Sequence, residues 1–537
     1  MRALLMYPHF PESYWSFSQS IKIVGRPAFM PPLGLLTVAA ILPQDWEFRL
    51  VDFNVRPPKE SDWDWADIVL FSGMIVQRTH LLELIREAKH RGKRVAVGGP
   101  YVTSVPDEAA EAGADYMVLD EGEITIPLFV EALNRGETSG WFRAGTEKPD
   151  VTQTPIPRYD LLNFDDYTTM SVQYSRGCPF MCEFCDIITL YGRRPRTKTP
   201  EQVVAELQTL YDLGWRRHIF MVDDNFIGNL RTVRTLVDHI ADWQKPRSYP
   251  FTISTEASIN IADHPDLMRA MRLAHFNAIF IGIETPDVDS LLLTKKAQNT
   301  RQPLVESLQA INQAGLRIHA GFIIGFDGEK PGADERILAL AEEAAIPQVI
   351  VNMLHAMPQT PLSHRLRREG RLIERDEIKD CNDNSLTNFV PTRPIQELAE
   401  EHINVTEKLY AIDQFILRCY RNCIDLRLAV PGKGEVRRKV GARELRGLAT
   451  VIWRNGIVRG SRGVFWRCFL KLLRKNKPAA VPFLMYMLNL EHLSWFQEIS
   501  RDEIKNQLAA LPDEERQRFY TPTPQTDPTP LAAPAAE

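Results

Sequence analysis

The chain has 537 residues, 25% of them charged, and a net charge of −5 at pH 7. That length exceeds what one hydrophobic core organises and implies roughly two to four domains, while the near balance of charge excludes a basic nucleic-acid footprint at the level of the whole chain. Three of its seven cysteines form one cluster and the others (Cys381, Cys419, Cys423, Cys468) are scattered, which excludes a disulfide framework and suits a reducing cytoplasm.

The opening run Met1 to Tyr7 is too short and too little flanked for a signal peptide and reads as a first strand. From there to about residue 145 strand-like and helix-like stretches alternate in the rhythm of an open parallel α/β sheet. Strands are expected at Ala3 to Tyr7, Phe48 to Asp52, Ile68 to Ser72, Val95 to Gly98 and Tyr116 to Leu119. Helices are expected at Leu33 to Leu42, Thr79 to Arg91 and Pro106 to Ala112, with Gly92 and Gly113 as stops. Such sheets bind ligands at the carboxyl ends of their strands. The residues there are Ser72-Gly73-Met74, Gly98-Gly99-Pro100-Tyr101 and Asp120-Glu121-Gly122-Glu123, a rim of small residues that lets a large flat ligand approach the backbone. Taken alone, these glycines read equally well as ordinary turns.

A polar connector with Pro149, Pro155 and Pro157 places a first boundary near residue 150. Met170 to Gln173 then reads as a strand delivering Ser175-Arg176-Gly177-Cys178-Pro179-Phe180-Met181-Cys182-Glu183-Phe184-Cys185-Asp186. Cys178, Cys182 and Cys185 stand at a Cys-x3-Cys-x2-Cys spacing with no fourth partner nearby. Three thiolates on a [4Fe–4S] cube leave one iron open to a small molecule, which makes the site catalytic. The alternative is a structural zinc with a distant ligand such as His218, although such sites favour paired Cys-x2-Cys couples. The spacing resembles that of the radical S-adenosylmethionine (SAM) superfamily. The resemblance implies that the open iron is chelated by the amino and carboxylate groups of SAM, with Phe184 against the adenine.

From residue 165 to about 378 the alternation resumes. Strands are expected at His218 to Val222, Phe251 to Thr255, Ala278 to Ile283, Ile318 to Ile324 and Val349 to Leu354. Helices are expected at Gln202 to Leu213, Arg231 to Trp243, Pro265 to Leu273, Gln302 to Ala314 and Ala333 to Ala345. With the opening strand these make a partial (β/α)6 barrel, whose chemistry belongs at the carboxyl ends of the strands. Asp223-Asp224-Asn225 takes the place of the superfamily's Gly-Gly-Glu motif without its glycines, and its carboxylates suit the ammonium of SAM. Glu256, Ser258 and Glu284 suit ribose hydroxyls or the amino-acid part. The stretch Gly321 to Asp327, with Gly321 and Gly325, resembles the superfamily's adenine-contacting strand. Each of these carboxylates also reads as a structural ion pair. Asn352, His355 and Met357 lie where a substrate meets the adenosyl group, His355 as a general base or a wall residue.

With Phe29-Met30-Pro31-Pro32-Leu33-Gly34-Leu35 and Val97-Gly98-Gly99-Pro100 in view, the N-terminal part resembles the cobalamin-binding domain of the B12-dependent radical SAM enzymes. The resemblance implies cobalamin at Ser72, Gly73, Met74, Gly98, Gly99, Pro100, Tyr101, Glu121 and Gly122. Val51-Asp52-Phe53-Asn54-Val55-Arg56 carries no histidine of an Asp-x-His-x-x-Gly type, so cobalt is expected without a protein imidazole beneath it.

Residues 379 to 520 read as a helical domain, resembling the C-terminal domain of unknown function attached to many of these enzymes, with Asp380 to Asn384 at its border. A disordered tail from 521 to 537 follows. Between Arg421 and Lys477 there are 16 Lys/Arg against Asp425, Glu435 and Glu444, a balance of 16 − 3 = +13. Leu445, Leu448, Ile452, Phe465, Phe469, Leu472 and Leu473 recur at helical spacing with Trp453 and Trp466 interleaved. This reads as a membrane-surface segment or as a packed helix with a basic back, and no RNA-binding motif accompanies it.

The resemblance implies an enzyme that breaks SAM reductively to a 5′-deoxyadenosyl radical and, with methylcobalamin, methylates an unactivated carbon. Relatives of this kind include hopanoid methylases and enzymes acting on bacteriochlorophyll side chains. The expected partners are therefore a hydrophobic or lipid-like substrate and an electron donor such as flavodoxin or ferredoxin, in the cytoplasm with peripheral contact to the inner membrane face. A radical cyclase or oxidative rearrangement without methyl transfer is the alternative within the class, and a non-catalytic cobalamin or iron–sulfur sensor the alternative outside it.

Overall fold

The computed structural model describes residues 1–296, 299, 303–373, 385–426 and 441–511. The expectations for Gln302, for Cys381, for the border at Asp380 to Asn384 and for the tail 521 to 537 lie outside the described residues.

The first parallel sheet has six strands, β1 (Arg2–Tyr7), β2 (Glu47–Asp52), β3 (Ile68–Ser72), β4 (Arg94–Gly98), β5 (Tyr116–Val118) and β6 (Gly140–Phe142), in the order β2-β1-β3-β4-β5-β6. Near-continuous apolar runs such as Ala3 to Met6 and Ile68 to Phe71 are buried on both faces, as a parallel sheet covered by helices requires. Strand order reverses between β1 and β3, and the crevice at that switch is where such a sheet takes a ligand.

Several elements escape a reading of local pattern, among them the short helices Ser18–Ile23 and Glu60–Trp65. The short strand β6 lies just before the connector, in a stretch where no strand was expected. Helix Gly122–Asn134 contains Pro127 and the β-branched Ile124, Thr125, Ile126 and Val130, all poor helix signals. Burial of Thr125, Ile126, Phe129 and Ala132 overrides them.

The second parallel sheet runs β7 (Thr169–Val172), β10 (His218–Met221), β11 (Thr252–Glu256), β12 (Phe276–Glu284), β13 (Arg317–Ile324) and β14 (Gln348–Met353), in that spatial order. Between β7 and β10 a small antiparallel ribbon, β8 (Ser175–Arg176) with β9 (Arg196–Thr197), carries the cysteine loop. Six strands leave the barrel open between β7 and β14, and both edges are covered. Along β7 the N-terminal segment pairs in parallel, Ala28 opposite Tyr167, and the Phe29 carbonyl accepts from the backbone N–H of Thr169 at 3.0 Å. On β14, Tyr410 receives the Val349 N–H at 3.2 Å and His402 Nε2 meets the Val351 carbonyl at 2.9 Å. Side chains and an added segment thus satisfy groups that an open sheet edge leaves bare.

Helices Ile395–Leu409, Ile412–Asp425, Ala442–Trp453, Arg462–Lys475 and Ala480–Ala510 form the C-terminal part. The longest, Ala480–Ala510, packs on helix Ser18–Ile23 of the N-terminal part, with Ser20 Oγ donating to the Leu488 carbonyl at 3.0 Å.

Candidate functional site

The cysteine loop is fastened at both ends. At its start, Asp223 accepts hydrogen bonds from the backbone N–H groups of Tyr174 (3.3 Å) and Ser175 and from Ser175 Oγ (2.5 Å), while Asp224 accepts from Gly177 N–H at 2.8 Å. Gly177 has φ +92°, and a Cβ there would lie 2.8 Å from the Gly192 carbonyl oxygen, so this turn demands glycine. Asn225 sends its side-chain N–H toward Cys178 Sγ at 3.9 Å. Farther along, Glu183 pairs with Arg365 at 2.7 Å and its carbonyl accepts from Leu362 N–H at 2.9 Å, tying the loop to helix Pro361–Arg368. Burial pushes the thiols of Cys178 and Cys185 up from their ordinary range, and the Lys296 ammonium acts the other way on Cys178.

Lys296 is buried in an ion pair with Glu284, and the Cys182 and Cys185 sulfurs help hold its charge. Gly282 makes room for this pair, because a Cβ there would stand 2.9 Å from Lys296 Nζ. Sequence reasoning missed Lys296, which follows a short helix with no motif around it. Glu284 itself adopts φ +67°, a left-handed conformation that a side chain pays for in strain and that Asn299 supports by donating to the Gly282 and Ile283 carbonyls.

The donor set suits an iron–sulfur cube better than zinc. It consists of three thiols on one loop, Cys178, Cys182 and Cys185, the ligand count that leaves one iron of a cube open, whereas structural zinc takes four ligands. His218 opens β10 at the end opposite Asp223, with its ring nitrogens on Thr252 and Ser254, so it cannot complete a zinc site with the cysteines.

Behind the loop lies a carboxylate cluster, Asp223, Asp224 and Glu256, with no ion-pair partner among the described residues. Glu256 is held at about 8, first by burial and then by Asp224 and Asp223, and its carboxyl has no hydrogen-bond or ion-pair partner among the described residues. Burial likewise raises Asp223 to about 7 and Asp224 to about 6. Such a cluster fits a ligand that brings an ammonium. Ser258 bonds Asn225 at 3.2 Å and Asn260 at 2.6 Å beside it. Phe184 packs on Phe326 at 5.6 Å, just past the strand that carries Gly321, and Gly325 between them donates its N–H to Glu329 at 2.8 Å. A Cβ at Gly321 would come within 2.8 Å of the Phe280 ring.

In the first sheet, Gly98 and Gly99 are required by close approach: a Cβ would stand 2.5 Å from the Val118 carbonyl and 2.4 Å from Ser72 Oγ. Ser72 and Pro100 are half-buried, Gly73 is buried and Met74 exposed at the strand ends. Tyr101 turns into the core, its hydroxyl on Glu108. Gly122 opens helix Gly122–Asn134 against Ile126. Glu121 is engaged by Arg176 at 2.8 Å and Arg196 at 2.7 Å, and Glu123 by Arg176 at 2.8 Å, so the first sheet's carboxyl edge is clamped to the ribbon that carries the cysteines. Two histidines, His9 and His80, lie near this edge, with His80 Nδ1 accepting from the His9 backbone N–H at 2.8 Å.

Inside the open barrel, Trp15 from the N-terminal segment meets Phe280 edge-on at 5.1 Å, and Met30 reaches Ser171 at 3.7 Å. Trp15, Met30 and Phe280 are half-buried, forming an apolar wall. Asn352 on β14 and Met357 are half-buried as well. His355 is buried with Nδ1 on the Met353 carbonyl and Nε2 2.8 Å from Ser385 Oγ, the bonding of a wall residue.

The chain matches the model of the Radical SAM superfamily over residues 172–342, that of a B12 binding domain over 23–130 and that of a domain of unknown function, DUF4070, over 360–506. It is 54% identical over 509 residues to the uncharacterized methyltransferase sll1242 of Synechocystis sp., covering 95% of this chain and 94% of that protein. It is 39% identical over 386 residues to the hopanoid C-2 methylase of Rhodopseudomonas palustris, covering 71% and 72%. Among solved structures, the cobalamin-dependent SAM radical enzyme OxsB shares the fold with a TM-score of 0.57 at 16% identity, covering 96% of this chain and 82% of that one.

Proposed function

Because the chain belongs to the cobalamin-dependent radical SAM methylases, and so works with SAM, a [4Fe–4S] cluster and cobalamin, we propose that it methylates an unactivated carbon of a hydrophobic, membrane-derived substrate. The observation that carries this reading is the three-thiol loop set between a carboxylate cluster with no ion-pair partner among the described residues on one side and the clamped edge of the first sheet on the other.

In this reading residues 1–150 hold cobalamin, residues 165–378 hold SAM and the cluster, and residues 379–520 are a third domain. Cys178, Cys182 and Cys185 hold the cluster. When bound, these groups supply reductive cleavage of SAM and a methyl group for a carbon radical. The chain's own residues orient and shield. Glu256 and Asp224 receive the ammonium of SAM, Phe184 and Gly321 flank its adenine, and Asn225 keeps Cys178 in place. Ser72, Gly73 and Gly99 admit the corrin to the backbone, with Met74 and Pro100 at its border. Trp15, Met30, Phe280, Asn352 and Met357 exclude water from the substrate chamber. An electron donor such as flavodoxin or ferredoxin delivers the electron. The names of the relatives favour methyl transfer over a cyclase or a non-catalytic sensor.

The test is anaerobic reconstitution followed by dithionite reduction. The wild type should bind one cluster and form 5′-deoxyadenosine from SAM, and replacing all three cysteines by alanine should abolish both; a triple variant that retains either removes the reading. Comparing lipid extracts of cells with and without the protein should reveal a species heavier by one CH2 unit.

A further inference from the structure

The two C-terminal helices that the sequence groups together behave differently. Helix Arg462–Lys475 buries Phe465, Cys468 and Leu472, and Trp466 is pinned by its N–H on the Gly456 carbonyl at 2.8 Å. Its outward face carries Arg462, Arg467, Lys471 and Arg474, a packed helix with a basic back. Helix Ala442–Trp453 does the opposite. Gly447 and Val451 face the body of the protein, Gly447 against Ile23 and Val24. Leu445 is 54% exposed, Leu448 39% and Trp453 54%, and the π turn Arg454–Val458 that follows adds Ile457 at 60% and Val458 at 55%.

Positions 445 and 448 are neighbours on the helix surface, and Trp453 lies on the same outward side, away from the inward Gly447 and Val451. Five large apolar side chains within 14 residues of sequence, with the exposed Arg446 and Arg454 among them and the basic helix Arg462–Lys475 next in the chain, are more than the scattered exposure normal for a soluble surface. The cations are available: Arg446, Arg462, Arg467, Lys471 and Arg474 have no ion-pair partner among the described residues, whereas Arg454 and Arg459 pair with Glu491 at 2.8 and 3.0 Å.

We propose that this face, Leu445, Leu448, Trp453, Ile457 and Val458 with the cations beside it, docks the protein on an anionic lipid bilayer. Charge complementarity selects that occupant. A second copy meeting this face through a twofold axis would bring the same arginines and lysines together, whereas an anionic headgroup layer neutralises them while the apolar row enters the acyl boundary and the indole sits at the interface. Among the described residues no helix is long and apolar enough to cross a membrane, so contact through this face is peripheral. The inference deepens the reading of a membrane-derived substrate and fails separately from it: a water-soluble substrate would overturn that reading while leaving vesicle binding untouched.

The experiment is flotation of the full-length, cluster-loaded protein with vesicles of phosphatidylcholine alone or mixed with phosphatidylglycerol. Binding should require the anionic lipid and fall as salt is raised. Each cation removed by Arg462→Gln, Arg467→Gln, Lys471→Gln or Arg474→Gln should weaken partitioning about fivefold. The combined Leu445→Ser, Trp453→Ser, Ile457→Ser and Val458→Ser variant should lose flotation while keeping its circular dichroism and SAM cleavage, since these side chains touch neither. Equal binding of that variant, or no wild-type binding to anionic vesicles, overturns the proposal, as does a wild-type dimer in sedimentation that the serine variant dissolves.

Discussion

Arg176, two residues before the first cysteine of the loop, lies 2.8 Å from Glu121 at the carboxyl end of the first sheet, with side chains only 11% and 3% exposed. Arg196, on the other strand of the ribbon, reaches the same carboxylate at 2.7 Å. The first sheet and the cysteine loop are therefore joined through one buried carboxylate, whose loss would leave two guanidinium groups without their shared partner.

Glu121→Gln should accordingly destabilise the protein by about 3–5 kcal/mol, the cost of breaking a buried pair from one side. Urea denaturation of the cluster-free protein measures it. A loss below about 1 kcal/mol, the range of an exposed surface pair, would show that the clamp contributes little.

The pH dependence of SAM binding follows from Glu256. Its folded value of about 8 lies above the ordinary 4.5, so the free protein keeps this proton at neutral pH. The sign is that of a raised carboxyl: the stability it contributes is complete below about 4.5 and is lost as pH rises through about 8. An arriving ammonium favours the charged form, so SAM binding at pH 7 should release about one proton and tighten as pH rises. Calorimetry in buffers of different ionisation enthalpy should detect the release, and Glu256→Gln should remove it; proton uptake on binding would contradict the assignment.

Cobalt should lie without a protein nitrogen beneath it, so the Co(II) protein should give an electron paramagnetic resonance spectrum free of histidine superhyperfine splitting. His9 and His80 are the imidazoles near that edge. Splitting that disappears in His9→Ala would overturn the expectation and name His9 as the ligand.

Trp15 and Phe280 should select the substrate. Trp15→Ala should raise KM about tenfold, the worth of one lost aromatic contact, and lower the amount of methylated product per SAM cleaved. Unchanged values of both would place Trp15 outside the substrate's path.

Much of this protein was legible before folding. A three-cysteine spacing is a ligand count, and counts survive without coordinates; it named the cluster chemistry directly. The first sheet's strands were legible because parallel strands buried on both faces are continuous apolar runs, and helix Pro265–Leu273 was read to the residue. Gly122–Asn134 was not, since its local signals oppose a helix and only burial of Ile126 and Phe129 reverses them. The site divides in the same way. Residue type and strand-end position pointed to Asp223, Asp224 and Glu256, but only the fold decided that Asp223 holds the Ser175 backbone while Glu256 stands without a partner. Lys296, Arg176 and Trp15 carry no local signature, because their roles come from partners 12, 55 and 265 residues away. The two basic amphipathic helices look alike in sequence, and tertiary packing alone decided that one buries its apolar face and the other leaves Trp453 and Ile457 in water. Periodicity fixes which residues share a face, whereas what covers that face depends on contacts between distant parts of the chain.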